Sequence, residues 1–457
     1  MTDTSPARAS RAAYRETRRH LLRKSRLLMV DGNLTLNART EEGGTSARLY
    51  EGGYWGFAAA PGEDDATARQ MADQALRNAR AMARFGPRQA LALPGGSYRG
   101  EHVFRGRALL SQSECVDRLS ELHALCARRY SDLSSTQFML QDEHHSKWVS
   151  TSDGSESLSS IQRAVCYMIL IGLDDHGAPV ELWERVSGKG SLADLDLRVE
   201  TLAPLLDRAH EHLQAKRRAV PAQAGLHTVV MGPELAGILA HEAMGHPCEA
   251  DLVLAGAVTR DLLGQQVASP LVTMVDYAHT FRGEEVMIPV YGDDEGTPAE
   301  DAVLIDAGRL TGYMSSRETA ARLGIAASGS ARAYGPGDEP LVRMRNTAIL
   351  PGTSKLDEMI AGVDDGYLLL KTSNGQADST TEFMFGISLG YEIKGGKVGR
   401  AIRDNTVSGS AIKVLSSVDA VSDDMAWNCG GYCGKKQPMV VSMGGPALRA
   451  RAQLGGQ

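Results

Sequence analysis

Cysteine is rare, with six residues in a chain of 457. That is too few for a dense disulfide framework, and free thiols of a reducing compartment are the simpler reading. No stretch approaches the ~20 consecutive apolar residues that a membrane-crossing helix needs, and Leu27-Leu28-Met29-Val30 is too short for a secretory apolar core. A net charge of −7 gives no overall pull toward nucleic acid or anionic membranes. Neither a Walker lysine pattern nor a G-x-G-x-x-G after a strand occurs, and Gly329, Gly335 and Gly337 are too sparse for a phosphate loop. Internal repeats and low-complexity runs are also missing. The expectation is a soluble, cytoplasmic protein with no nucleic-acid or membrane partner.

What the chain does have is length and apolar content, 457 residues and 42%, enough for two or three units with real cores. Residues 1–26 are locally basic, with Arg8, Arg11, Arg15, Arg18, Arg19, Arg23, Lys24 and Arg26 against Asp3 and Glu16. Because Tyr14, Leu21 and Leu28 recur every seven residues, this region reads as an amphipathic helix with a solvated basic face. Short strands are expected at Leu34–Leu36, Ser46–Tyr50 and Tyr54–Ala58, separated by glycine pairs. A helix then starts at Asp64-Asp65 with Met71, Ala75, Leu76, Ala79 and Met82 on one face, and stops at Gly86-Pro87.

Further helices are predicted at Glu114–Tyr130 and Val199–Arg218. Between them lie strands at Thr136–Leu140, Lys147–Thr151, Ala164–Ile171 and Val180–Val186, the last two joined by Asp174-Asp175-His176-Gly177. His144-His145 at a hairpin tip, and His210 with His212 on a polar helix face, read as surface histidines because they lack sulfur or acid partners. Residues 219–225 read as a linker. The fold class is α+β: an N-terminal α/β portion, 1–222, either one unit or two subdomains (1–96 and 97–222), then a large β-rich C-terminal domain, 223–457, sandwich or barrel-like and carrying the metal helix.

One stretch concentrates the chemistry: His241-Glu242-Ala243-Met244-Gly245-His246-Pro247-Cys248-Glu249-Ala250-Asp251. Imidazole and thiolate suit a borderline metal such as Zn²⁺, and a catalytic site keeps three protein ligands with one open position. The zinc-protease spacing H-E-x-x-H places both histidines on one helical face. Here the spacing is H-E-x-x-x-H, and i and i+5 lie about 140° apart on a regular helix. His241 and His246 share a metal only if the helix unwinds or bulges between them. Gly245 suits a distortion and Pro247 blocks regular continuation, so the helix should end here. On these residues alone Cys248 is a competing thiol ligand.

The sequence resembles the TldD/PmbA family of metalloproteases. The resemblance is carried by the H-E-x-x-x-H stretch and, in family order, by Leu263–Ser269, Asp293–Pro298, Leu310–Met314, Arg343–Thr347, Leu350–Gly352 and Gly430–Lys435, with a weaker match at Tyr54–Ala59. It implies that His241, His246 and Cys433 hold one Zn²⁺ and that Glu242 is the general base, acting on a water whose pKa the metal lowers toward ~7. It also implies small or unfolded peptides as substrates, and a homodimer or a heterodimer with a TldD/PmbA paralogue. The chain departs from the family where Ser328-Gly329-Ser330-Ala331-Arg332 replaces a Gly-Asn-Gly-Arg run. Gly329, Ser330 and Arg332 are nevertheless expected to form a mobile loop near substrate.

The expectation is therefore a zinc metallopeptidase, with an extended peptide held by strand-style pairing. Two alternatives stay open: a non-catalytic metal-binding scaffold subunit, and a thiol hydrolase using Cys433 with a histidine. Cys429, spaced C-x₃-C from Cys433, is expected to be a bystander.

Overall fold

The computed structural model describes residues 14–377 and 380–455. The opening segment is a strand, β1 (Tyr14–Val30), and the amphipathic helix expected there does not form. Burial alternates with period two, so Glu16, Arg18, His20 and Leu22 face inward. Seven is an odd spacing, and the Tyr14–Leu21–Leu28 series therefore straddles both faces of a strand. The basic residues divide between the faces: Arg15, Arg23 and Arg26 are exposed, whereas Arg18 is buried, donating to the carbonyls of Gly335 and Asp338 and lying 3.6 Å from Asp294. Burial of a charge depends on that remote acid, which no local pattern reveals. Arg8 and Arg11 lie outside the described residues.

β2 (Asn33–Glu51) runs straight through Gly43-Gly44 where a break was expected, and pairs with β3 (Tyr54–Pro61). Helix α1 (Asp65–Met82) is capped by the Asp64 side chain accepting from the Thr67 N–H, and it buries Met71, Ala75 and Ala79. After β4 (Arg99–His102), helix α2 (Gln112–Arg129) opens on a Ser111/Glu114 capping box. Then come β5 (Ser135–Thr151), β6 (Glu156–Leu173), β7 (Pro179–Lys189) and helix α3 (Val199–Arg217). These seven strands form one sheet in the order β3-β2-β1-β5-β6-β4, with β7 also on β6. Because β1 pairs with β5, the sheet crosses position 96/97 without a seam.

β5 is unbroken, so His144 and His145 sit mid-strand instead of at a tip, and His145 is buried. The other pair is also engaged: His210 meets Asp132 and His212 meets the Tyr391 hydroxyl. Leu119, Leu122 and Cys126 of α2 and Leu202, Leu206 and Leu213 of α3 share one apolar cluster with Val230, Leu368, Leu389 and Ile393. The two halves of the chain thus have a core in common.

β8 (Gly225–Met231) enters the second half. It pairs in parallel with the strand Asp365–Ala377 and antiparallel with Leu448–Leu454, and pairings through Asn405–Ser410 and Glu382–Lys394 return to Asp365–Ala377, closing a ring. A second sheet runs Arg309–Leu310, Ala302–Asp306, Met274–Tyr277, Asn346–Ile349, Ser442–Gly445, Ala426–Asn428. The metal-motif helix packs between these strands, with Leu235, Ala236, Leu239, Ala240, Ala243 and Met244 in one cluster with Met231, Phe383, Phe385, Ile387 and Leu448. Among the described residues, no helix is long and apolar enough to cross a membrane.

Candidate metal centre

Helix α4 (Pro233–Ile238) starts directly after β8, with proline at its first position, where a missing N–H costs nothing. From Leu239 to Gly245 the winding becomes π-helical, and the His246 N–H bonds to the His241 carbonyl five residues back. This is the bulge that the spacing demanded: the wider turn brings i and i+5 onto one face. A short 3₁₀ turn, His246–Cys248, follows, and Glu249 is extended, so regular winding ends at the motif.

Gly245 serves a purpose other than the expected one. Its φ of −61° is ordinary for a helix, but a Cβ there would lie 2.3 Å from the Met344 Sδ and 3.0 Å from the Ala240 carbonyl oxygen. Space, not backbone freedom, calls for glycine.

The third group arrives from the hairpin of Tyr432–Lys435 with Gln437–Val440, where Cys433 opposes Met439. One ligand atom from each of His241, His246 and Cys433 falls within 4.8 Å of the others. Cys433 Sγ lies 3.3 Å from His246 Nε2, and the two imidazoles meet nearly at right angles, 5.1 Å between centroids. Glu242 Oε2 is 3.6 Å from His246 Nε2, which puts its carboxylate beside the point where the three donors converge.

The surroundings tune these groups. His246 Nδ1 lies 2.7 Å from Glu249 Oε2, which leaves Nε2 to face the thiol. Burial alone would push the Cys433 thiol up, but His241 and His246 outweigh it and hold it at about 5. Both ring nitrogens of His241 are buried without a hydrogen-bond partner. A fully buried imidazole with two orphaned nitrogens is costly unless something else satisfies it. With a thiolate-forming cysteine and an oriented second imidazole alongside, this donor set fits a metal ion.

Cys248 does not compete. It is fully buried in the apolar cluster, and burial followed by the Glu249 charge pushes its thiol upward, away from the thiolate a metal needs. Cys429 is likewise buried and not among the converging donors.

Residues 224–455 match the family model of the PmbA/TldA metallopeptidase C-terminal domain, and residues 23–79 match that of domain 1. A metalloprotease of Methanothermobacter thermautotrophicus is 30% identical over 454 residues, covering 98% of this chain and 96% of its own. The chain belongs to the PmbA/TldA (TldD/PmbA) metallopeptidase family. A zinc metalloprotease TldD homologue of Saccharolobus solfataricus is 29% identical over 347 residues, 73% of this chain and 75% of its own. With relatives so named, the chain is a metallopeptidase of the TldD type. In fold it is similar to the crystal structure of TldE from Thermococcus kodakarensis, with a TM-score of 0.74, 16% identity and 96% of each chain covered.

Within this PmbA/TldA chain, several residues that the sequence left without a role complete the centre. Glu249 is fully buried and lies 3.2 Å from Lys435 Nζ, which also reaches Asp251 and the Val342 carbonyl. Arg343, buried, donates to the carbonyls of Cys433, Lys435 and Gln437 and so fastens the hairpin. The sequence signals for these residues were their place in stretches that carry the family resemblance, Arg343–Thr347 and Gly430–Lys435, and for Glu249 its position three residues after His246.

Gly329, Ser330 and Arg332 depart from the mobile loop expected of them. All three are buried; Ala331–Arg332 pairs with Leu341–Val342, and Arg332 donates to the Met344 carbonyl at 2.6 Å. The Arg332 guanidinium thus braces the residue that packs against Gly245. Its polar atoms are committed to the interior because the strand pairing turns them inward, which spacing along the chain does not encode.

Proposed function

We propose that the protein is a zinc-dependent peptidase that hydrolyses small or unfolded peptides with an activated water. His241, His246 and Cys433 hold the ion, and Glu242 is the general base. The observation carrying this reading is the convergence of those three donor atoms within 4.8 Å, with Glu242 beside them. Bound zinc supplies Lewis-acid polarisation of the scissile carbonyl and makes a water acidic enough to attack near neutral pH.

The protein's own groups do the rest. Glu242 accepts the water proton and returns it to the leaving amine, so no covalent intermediate is required. Its partial exposure, 23% of the side chain, lets it reach solvent while its backbone is held by the helix. Glu249 keeps the His246 ring turned with Nε2 inward. Membership of the PmbA/TldA family is the ground for reading a two-subunit assembly, with a second copy or a paralogue as partner, in the cytoplasm. The peptide is held extended, by strand-style pairing with the β-rich half.

A thiol hydrolase is the second reading, favoured by the 3.3 Å contact of Cys433 Sγ with His246 Nε2. It leaves His241 without a purpose. Metal analysis of the purified protein, with peptide cleavage assayed before and after chelation, decides the matter. About one zinc per chain and chelator-sensitive cleavage are expected; chelator-insensitive cleavage would promote the thiol mechanism. A metal-loaded protein that never cleaves alone or with a paralogue would leave only a scaffold role.

A further inference from the structure

The segment that delivers Cys433 is held by the N-terminal sheet. Three consecutive carbonyls ahead of it each accept a bond from a side chain of β6: Arg163 donates to those of Cys429 and Gly431, the latter at 2.6 Å, and the Tyr167 hydroxyl donates to that of Gly430 at 2.5 Å. The Cys429 N–H in turn donates to Ser187 Oγ of β7. Gly430 and Gly431 have no side chains with which to anchor themselves, and glycine loses the most backbone freedom on ordering. Their position, two and three residues before Cys433, is held by these carbonyl bonds together with the Gly430 N–H donating to Asn428 Oδ1 at 2.8 Å.

Arg163 is itself placed with care. It sits directly opposite Glu143 across the β5–β6 ladder, and the two buried groups meet at 3.3 Å. The Tyr432 hydroxyl donates to Glu143 at 2.6 Å, and the Arg163 guanidinium lies 4.2 Å from the centre of the Tyr432 ring. His145 closes the far side of Glu143 at 2.9 Å. Two buried charges are costly unless they are partnered, and here Arg163 and Glu143 partner each other and both also bind the segment that leads to Cys433, Arg163 at its carbonyls and Glu143 at the Tyr432 hydroxyl.

We propose that Arg163, supported by Glu143 and Tyr432, is a positioning residue for the Cys433 thiolate, so that the N-terminal sheet sets the geometry of the metal centre. This rests on the reading of Cys433 as a metal ligand. Groups behind a metal ligand commonly change metal affinity by ~10–100-fold when removed, and that is the effect assigned to Arg163.

The test uses the full-length protein, stripped of metal and reloaded with zinc or cobalt(II). Zinc affinity is measured by competition with a chelator, and the sulfur-to-cobalt charge-transfer absorption reports the thiolate bond directly. Arg163→Met should weaken zinc binding by ~10–100-fold and diminish the absorption, with Arg163→Lys recovering part of both. Arg163→Met leaves Glu143 buried and can prevent folding, so a Tyr167→Phe/Tyr432→Phe variant, which keeps both rings, is made in parallel. That variant should lower the affinity several-fold. Native affinity and undiminished absorption in folded Arg163→Met, or in the double variant where Arg163→Met does not fold, overturn the proposal. Cys433→Ser separates the two readings. If it retains the absorption, Cys433 is not a ligand; if it loses the absorption while Arg163→Met keeps it, only the positioning role falls.

Discussion

Glu249 joins the two ends of the candidate metal centre. Its Oε2 lies 2.7 Å from His246 Nδ1 and 3.2 Å from Lys435 Nζ, two residues beyond Cys433. Burial opposes its charge, but His246 and Lys435 outweigh burial and hold the carboxyl below its usual range. Glu249→Gln removes that charge from both neighbours. Metal affinity should fall by ~10–100-fold, measured by chelator competition, and an unchanged affinity would mean that the His246 ring is oriented by something else.

Glu242→Gln separates metal binding from proton transfer. The variant should bind metal at the native stoichiometry while peptide turnover drops by ~10²–10⁴-fold, the usual contribution of a positioned general base. Turnover close to that of the parent would remove Glu242 from the mechanism.

Gly245→Ala puts a methyl group where Met344 and the Ala240 carbonyl already lie, at 2.3 and 3.0 Å. Overpacking of this kind costs about 1–3 kcal/mol, read from urea unfolding. Met344→Ala alone opens a cavity in the core, and the double variant should lose less than the sum of the two single losses, since the sulfur is gone and the carbonyl contact remains. If Gly245→Ala is as stable as the parent, the close packing of the π-turn is not what requires glycine there.

Glu16 makes stability depend on pH. Burial pushes its carboxyl from an ordinary 4.5 up to about 7, with Arg48 opposing and Glu295 reinforcing the rise. Between those two values the folded chain binds more protons at this group than the unfolded chain does. Its contribution is therefore complete below about pH 4.5 and is lost as pH rises to about 7. The stability of the parent minus that of Glu16→Gln should decline over this window in urea unfolding at stepped pH. A difference that is flat or rising would show that the Arg48 pairing dominates burial.

Where an element's own residues carry its pattern, the sequence was legible. Helices α1, α2 and α3 stand where their apolar spacing put them, because each buries a stripe visible within the helix itself. β1 was misread for the opposite reason. Arg18 and His20 lie inside it, next to Asp294 and His145, and only partners far along the chain make burial of those groups affordable.

The metal motif shows the same division. His241, Glu242 and His246 determined by themselves that a shared ion needs a distorted helix, since 140° of rotation is geometry and not context. The chain alone could not choose between Cys248 and Cys433 without a family resemblance, nor bring Glu249, Arg343 and Arg163 into contact with the candidate donors and the segment that carries Cys433. Those choices belong to tertiary structure. A thiol becomes a metal donor by where its sulfur points and which charges surround it, and here the surroundings are supplied by a hairpin nearly two hundred residues downstream and a sheet from the other half of the chain.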